Sequence, residues 1–125
     1  MTEEEYRKFN YPEFVDCLRA ISTPESLSES LSMDILHSAV GISGEAGELL
    51  DHIKKVIWQQ HCIQCNYVIE ELGDILFYLT SMCNCIGTDI DEVRKLNIEK
   101  LTKRYPDGVF DKERSINRDG ETNES

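Results

Sequence analysis

From Leu31 to about Ile57 the apolar residues Ile35, Ala39, Ile42, Ala46, Leu49, Ile53 and Ile57 recur at steps of three and four, which places them along one side of a helix. A polar segment, Gln59 to Gln64, separates this stripe from a second one: Val68, Leu72, Ile75, Leu79, Met82 and Ile86, ended by Gly87. Two long helices joined by so short a connection are expected to pack as antiparallel neighbours. Shorter elements flank them. Pro12 suits the first turn of a helix over about residues 11 to 21, with Phe14, Leu18 and Ile21 on one side. The stretch from Ser22 to Ser30 is rich in loop and capping residues and reads as a connection. Thr88 with Asp91 resembles a capping box, opening a fourth helix through Ile90, Val93 and Leu101 that stops at the turn Tyr105-Pro106-Asp107-Gly108. The expected fold is an all-α, four-helix bundle.

At 125 residues the chain has room for one domain with one core. The pattern assigns residues 1–110 to the helical domain, with a polar, acidic start before Tyr11. Residues 111–125 form a polar C-terminal tail, solvated or ordered on a partner. No internal repeat interrupts this order.

The acidic residues add chemistry to the helices. At ~100° per residue, Glu45 and Glu48 fall roughly 80° and 140° to one side of the first stripe, and Glu71 and Asp74 roughly 60° and 120° to the same side of the second. Antiparallel helices are related by an approximate two-fold axis perpendicular to both, so offsets of equal sense end on the same side of the pair. Both acidic pairs also lie about thirteen residues, or ~20 Å, from the middle of the connection. Four carboxylates are therefore expected in one groove at one height. Like charges gathered in a partly desolvated groove raise each other's pKa and oppose burial, so a cation must offset them. Oxygen donors of this kind suit Mg²⁺, which takes a few carboxylates and leaves positions for water and phosphate oxygens. The bland alternative is four acids on solvated helix faces. Gly41, Gly44, Gly47 and Gly73 lie among these acids, each about 1 kcal/mol worse than alanine in a helix interior, and point to close backbone approach by a helix or a ligand.

The overall charge narrows the partners. A formal net charge of −11 argues against a nucleic-acid polymer, whose backbone would be repelled. No apolar run approaches the ~20 residues of a membrane span, and the first residues carry acid where a signal peptide carries base, so a cytoplasmic location without membrane contact is expected. Five cysteines remain thiols in a reducing compartment; Cys62-x-x-Cys65 hints at zinc, against ordinary half-buried cysteines.

Other polar side chains occupy informative positions. Tyr78 shares the face of Glu71 and Asp74, as does Tyr67, and each is either a phosphate or sugar contact or a rim tyrosine capping the core. Asn97 interrupts the apolar stripe of the fourth helix, with Lys100 and Arg104 along its edge, a set suited to base, sugar and phosphate or to a satisfied interhelical amide beside solvated bases. Lys54 reads as a helix C-terminal cation, and Trp58 as a base-stacking or subunit-interface aromatic.

Taken together, Gly44-Glu45-Ala46-Gly47-Glu48-Leu49 and Glu70-Glu71-Leu72-Gly73-Asp74-Ile75 resemble the Glu-x-x-Glu and Glu-x-x-Asp hallmark of the MazG-like all-alpha nucleoside triphosphate pyrophosphohydrolases. The resemblance runs over about residues 31 to 118, including Asn97-x-x-Lys100, Arg104-Tyr105-Pro106-x-Gly108 and Ser115-Ile-Asn-Arg118. It implies an oligomeric four-helix MazG-like bundle, a homodimer or homotetramer. It also implies Mg²⁺ held by Glu45, Glu48, Glu71 and Asp74, and cleavage of ribo- or deoxyribonucleoside triphosphates between the α and β phosphates to a monophosphate and pyrophosphate. Tyr78, Asn97, Lys100 and Arg104 carry over as substrate contacts, with Lys54 and Trp58 as further candidates. The chemistry expected is metal-assisted hydrolysis, with Glu48 a candidate to take the proton of the attacking water. The competing class is a non-catalytic helical interaction protein whose acids only keep it in solution.

Overall fold

The computed structural model describes residues 1–18, 27–108 and 112–116, without the side chains of 27–30 and 114. Six helices form among them: α1 (Glu3–Lys8), α2 (Tyr11–Leu18), α3 (Leu27–Trp58), α4 (Cys65–Ile86), α5 (Ile90–Arg104) and α6 (Lys112–Ile116). The all-α class expected from the spacing is what the chain adopts, and α2 to α5 are the four helices anticipated. They divide into two compact units, Met1–Asp89 and Ile90–Ser125.

Local chemistry explains the differences at the ends. The acidic start is helical because Thr2 and Glu5 form a capping box, Glu5 N–H donating to Thr2 Oγ1 at 3.2 Å and Thr2 N–H to Glu5 Oε2 at 2.6 Å. Asn10 caps α2, its Oδ1 accepting from Glu13 N–H at 3.2 Å, so Pro12 sits in the first turn as expected. The stretch expected as a connection lies outside the described residues as far as 26, and from Leu27 the chain is already helical. After Arg104 the turn at Tyr105 closes by Gly108 N–H donating to Tyr105 O at 2.9 Å. The polar tail, expected to be solvated, holds the short helix α6, and Asp89 rather than Thr88 precedes the first residue of α5.

In the first unit α3 and α4 form an antiparallel pair, joined by the short segment after Trp58. Partners on α4 recede as those on α3 advance: Ser38 meets Ser81, Gly41 meets Tyr78, Glu45 meets Asp74 and His52 meets Tyr67. Gly87, at φ 74°, ends α4 in the left-handed region, and Thr88 N–H returns to Cys83 O at 3.0 Å. At the opposite end of the pair, Gln64 N–H donates to His52 Nε2 at 3.2 Å and ties the connection to α3.

The contact face is rolled away from the apolar stripes. Relative to Ile35 and Val68 it is centred roughly 90–110° toward the acids on both helices. On that side Ser38, Glu71 and Ser81 are buried, whereas Ala39, Ala46, Ile57, Leu72, Leu79 and Ile86 of the stripes are exposed. Small residues account for this. Ser38 and Ser81 share a 2.8 Å hydrogen bond, Ser38 Oγ also reaches Asp34 O at 2.9 Å, and Gly41 admits the Tyr78 ring, so backbones approach where serine and glycine lie.

Helix α2 rests on α4. Asn84 Nδ2 donates to Pro12 O at 2.9 Å and to Asp16 Oδ1 at 3.0 Å, and Val15 is fully buried. Of the residues expected to share one side of this helix, Phe14 and Leu18 are exposed and Ile21 lies outside the described residues; Phe14 packs edge-on against Phe9, 5.2 Å between centroids. The only buried hydrophobic side chains among the described residues are Val15 and Cys83.

Candidate metal centre

Helices α3 and α4 deliver the acids to one place because they are antiparallel and rolled in the same sense. One carboxylate oxygen from each of Glu45, Glu71 and Asp74 lies within 4.8 Å of the other two. Glu71 is 5 % exposed, Glu45 is half-buried and Asp74 is exposed, so the group runs from the interhelical face to solvent. Glu71 Oε2 is buried and has no hydrogen-bond partner. Glu48, expected as the fourth member, stays outside the trio on the exposed side of α3. Three residues past Glu45 it is turned roughly 60° further from the apolar stripe than Glu45 is, and acts on the site through its charge.

Electrostatics record the crowding. The Glu45 carboxyl is pushed above its ordinary pKa, first by burial, then by the charges of Glu48 and Asp74 and by a hydrogen bond with Glu71 and its charge. Two phenols feel the same negative field. Tyr67 is raised by burial, by the charge of Glu71, by a hydrogen bond to it and by Glu48, with Lys55 opposing. Tyr11 of α2 is raised by burial and then by Asp74. A buried carboxylate oxygen without a partner, beside two more acids, is a costly arrangement for a protein to keep unless a cation completes it. Donors that are all oxygen suit a hard divalent ion over softer metals.

The other candidate residues fall into distinct settings. Tyr78, one turn beyond Asp74, is half-buried across Gly41, with His37 edge-on at 5.8 Å and Phe77 at 5.3 Å. Lys54 pairs with Asp51 at 3.1 Å, and Lys55 with the same carboxylate at 2.7 Å, which holds Asp51 below its ordinary pKa. Trp58 closes α3 with 73 % of its surface exposed. On α5, Asn97 and Lys100 are exposed, so the Asn97 amide does not fill an interhelical position inside its unit; Arg104 is half-buried, its guanidinium 5.9 Å from the Tyr105 ring centroid. Cys62 and Cys65 are exposed thiols, and among the described residues they join no cluster of metal-ligating groups. Of the glycines, Gly41 has the close neighbour expected, while Gly44, Gly47 and Gly73 face open space. The residue that the sequence pattern did not bring forward is Tyr11, because nothing in a one-dimensional spacing places the start of α2 beside Asp74.

Comparison with known proteins assigns the chain to a family. The model of the MazG nucleotide pyrophosphohydrolase domain matches residues 36–109, more than half of the chain and the span of both acidic pairs. The chain belongs to the MazG family. It is similar to the Gene 37 protein of Mycobacterium phage L5, 28 % identical over 75 residues, covering 57 % of this chain and 66 % of that protein. No solved structure matches the chain. Nor is any helix among the described residues long and apolar enough to cross a membrane.

Proposed function

We propose that the protein is a Mg²⁺-dependent nucleoside triphosphate pyrophosphohydrolase that cleaves between the α and β phosphates, giving a nucleoside monophosphate and pyrophosphate. The observation that carries this reading is the trio Glu45, Glu71 and Asp74, within 4.8 Å of one another inside a MazG domain, with Glu71 Oε2 buried and unpartnered. Bound there, Mg²⁺ supplies a positive centre for the phosphates and a water of lowered pKa. Glu45, Glu71 and Asp74 hold the ion and bring its charge to the edge of a protein of net charge −11. Glu48, exposed beside them, has the freedom to complete the ligand set or to accept a proton from the attacking water at a carboxylate oxygen.

Substrate contacts belong to the same reading. Tyr78 lies one turn from Asp74, and the family resemblance offers Asn97, Lys100 and Arg104 as further contacts for base, sugar or phosphate, with Lys54 and Trp58 as additional candidates. Two copies, or four, associate through the apolar residues that α3 and α4 leave exposed on the side away from the acids: Leu36, Val40 and Leu50, with Ile69, Leu72 and Leu76. A cytoplasmic location accords with a small nucleotide substrate.

The test is pyrophosphate release from a panel of ribo- and deoxyribonucleoside triphosphates, dUTP and dCTP included, with Mg²⁺ and with chelator. Release with Mg²⁺ that stops with chelator supports the proposal. Orthophosphate with a diphosphate product overturns the cleavage position, and no turnover of any triphosphate leaves the helical interaction protein as the better description.

A further inference from the structure

Cys62-x-x-Cys65 has no part in the acidic site. Both thiols are exposed, and among the described residues neither joins a cluster of metal-ligating groups. They stand in the connection between α3 and α4. Helix α3 ends at Trp58, Gln60 takes the left-handed region at φ 56°, and from His61 to Gln64, all described, the chain makes no turn. Gln64 is extended, at φ −103° and ψ 94°, and its N–H donates to His52 Nε2 of α3 at 3.2 Å. Cys65 opens α4 at the end of a helix that favours negative charge, with no cap hydrogen bond from the Gln64 side chain and no acid in the first turn. A disulfide needs Cα atoms about 4.4–6.8 Å apart. Unturned chain advances ~3.3–3.6 Å per residue, which puts Cys62 and Cys65 about 10 Å apart at Cα. Wound as one turn of helix, residues at this spacing come to about 5 Å. A bridge is therefore incompatible with the connection as it stands, and fits one in which residues 62–65 form an added first turn of α4. That winding takes Gln64 out of the extended region and its N–H away from His52.

We propose that Cys62 and Cys65 are a redox modification site: exchange with a small disulfide of the glutathione type closes a Cys62–Cys65 bridge, winds the connection onto α4 and releases it from His52. The Cys65 thiolate attacks one sulfur of the external disulfide, forming a mixed disulfide and expelling one thiolate. The Cys62 sulfur, its proton lost, then attacks the Cys65 sulfur and displaces the second. Two cysteine sulfurs are oxidised, one external disulfide is reduced to two thiols, and the two cysteine protons pass to them.

The test takes the full-length protein, first reduced, through buffers of rising oxidised-to-reduced glutathione ratio, traps free thiols with iodoacetamide and maps the peptides by mass spectrometry. The expected product is a bridge between Cys62 and Cys65, seen as loss of both alkylations and of two hydrogens, and returned to two thiols by dithiothreitol. Cys17, also exposed, is the internal control. It follows Asp16, which meets Asn84 about 28 Å along α4 from Cys65, and should hold glutathione without entering a bridge. Cys62→Ser and Cys65→Ser should each stop at the mixed disulfide on the remaining sulfur. In deuterium oxide the Gln64 amide, followed by nuclear magnetic resonance, should exchange faster in the bridged protein than in the reduced one. If Cys62 and Cys65 stay reduced, carry glutathione separately or bridge between chains at every ratio, the proposal fails. A bridge that forms with Gln64 exchange unchanged overturns the proposed winding of the connection.

Discussion

Replacing Gly41 by alanine tests the packing that sets the site. A Cβ on Gly41 would lie 2.2 Å from Tyr78 Cδ1 and 2.4 Å from both Cε1 and Cγ. Carbon atoms prefer separations of about 3.5–4.0 Å, so ring or helix must give by more than an ångström. The ring has little room to do so, since His37 packs against it at 5.8 Å and Phe77 at 5.3 Å. Alanine gains about 1 kcal/mol over glycine in a helix interior, and overpacking of this kind costs about 1–3 kcal/mol. Gly41→Ala is therefore expected to be neutral to about 2 kcal/mol destabilising, the difference of the two terms. At Gly44 and Gly73 an added Cβ meets nothing within 4 Å, so only the gain remains and alanine should stabilise by about 1 kcal/mol. Urea unfolding of the three variants, metal-free and at one protein concentration, measures the contrast. Equal stabilisation by all three would show that Tyr78 does not lie across Gly41, and the close approach of α3 and α4 would have to be redrawn.

Removing one carboxylate of the trio, by Glu45→Gln or Asp74→Asn, should lower Mg²⁺-dependent pyrophosphate release by at least the ~100-fold associated with disturbed ligand orientation; a steady-state assay with full activity in either variant would exclude that acid. Glu45 has a folded pKa raised above its unfolded value, so its contribution to stability is complete below the unfolded pKa and is lost as pH rises through the folded one. Metal-free wild type should accordingly lose ground to Glu45→Gln in thermal melts as pH rises above the ordinary carboxylate range, and saturating Mg²⁺ should cancel the trend. Light scattering should return at least twice the 14.4 kDa chain mass, and Leu72→Lys with Leu76→Lys should reduce it to the single chain; a wild-type monomer would remove the proposed subunit contact.

The long helices were legible because their apolar residues repeat at helical steps over many turns and glycine marks the end of α4. The meeting of Glu45, Glu71 and Asp74 was legible too, from angle and height alone, since an antiparallel pair converts equal offsets into proximity. What spacing could not weigh was which side of each helix packs first. Hydrophobic periodicity names the stripe as the contact, yet Ser38, Gly41 and Ser81 allow a closer approach beside it, and the helices roll toward them. Glu71 thereby becomes a buried residue instead of a groove wall, and Glu48 is left outside. The same roll explains the exposed Leu72, Leu79 and Ile86. Short segments were harder because their structure comes from single hydrogen bonds, as at Thr2, Glu5 and Asn10.

This roll gives the acids two connected consequences. A helix pair that packed through its stripes would bury leucines between its own helices and carry its carboxylates on a wet margin, where each could be hydrated and the site would place no demand on the fold. By turning toward the acids, α3 and α4 bring carboxylates partly out of water and at the same time free an apolar face on the opposite side. The first effect makes a cation favourable to the folded chain, because the ion offsets desolvation and repulsion that hydration no longer relieves. The second makes a partner favourable, because a chain with Val15 and Cys83 as the buried hydrophobics among its described residues has little core of its own. The proposed metal centre and the proposed subunit contact would then be two sides of one packing choice, and a change that rolls the helices back should disturb both together.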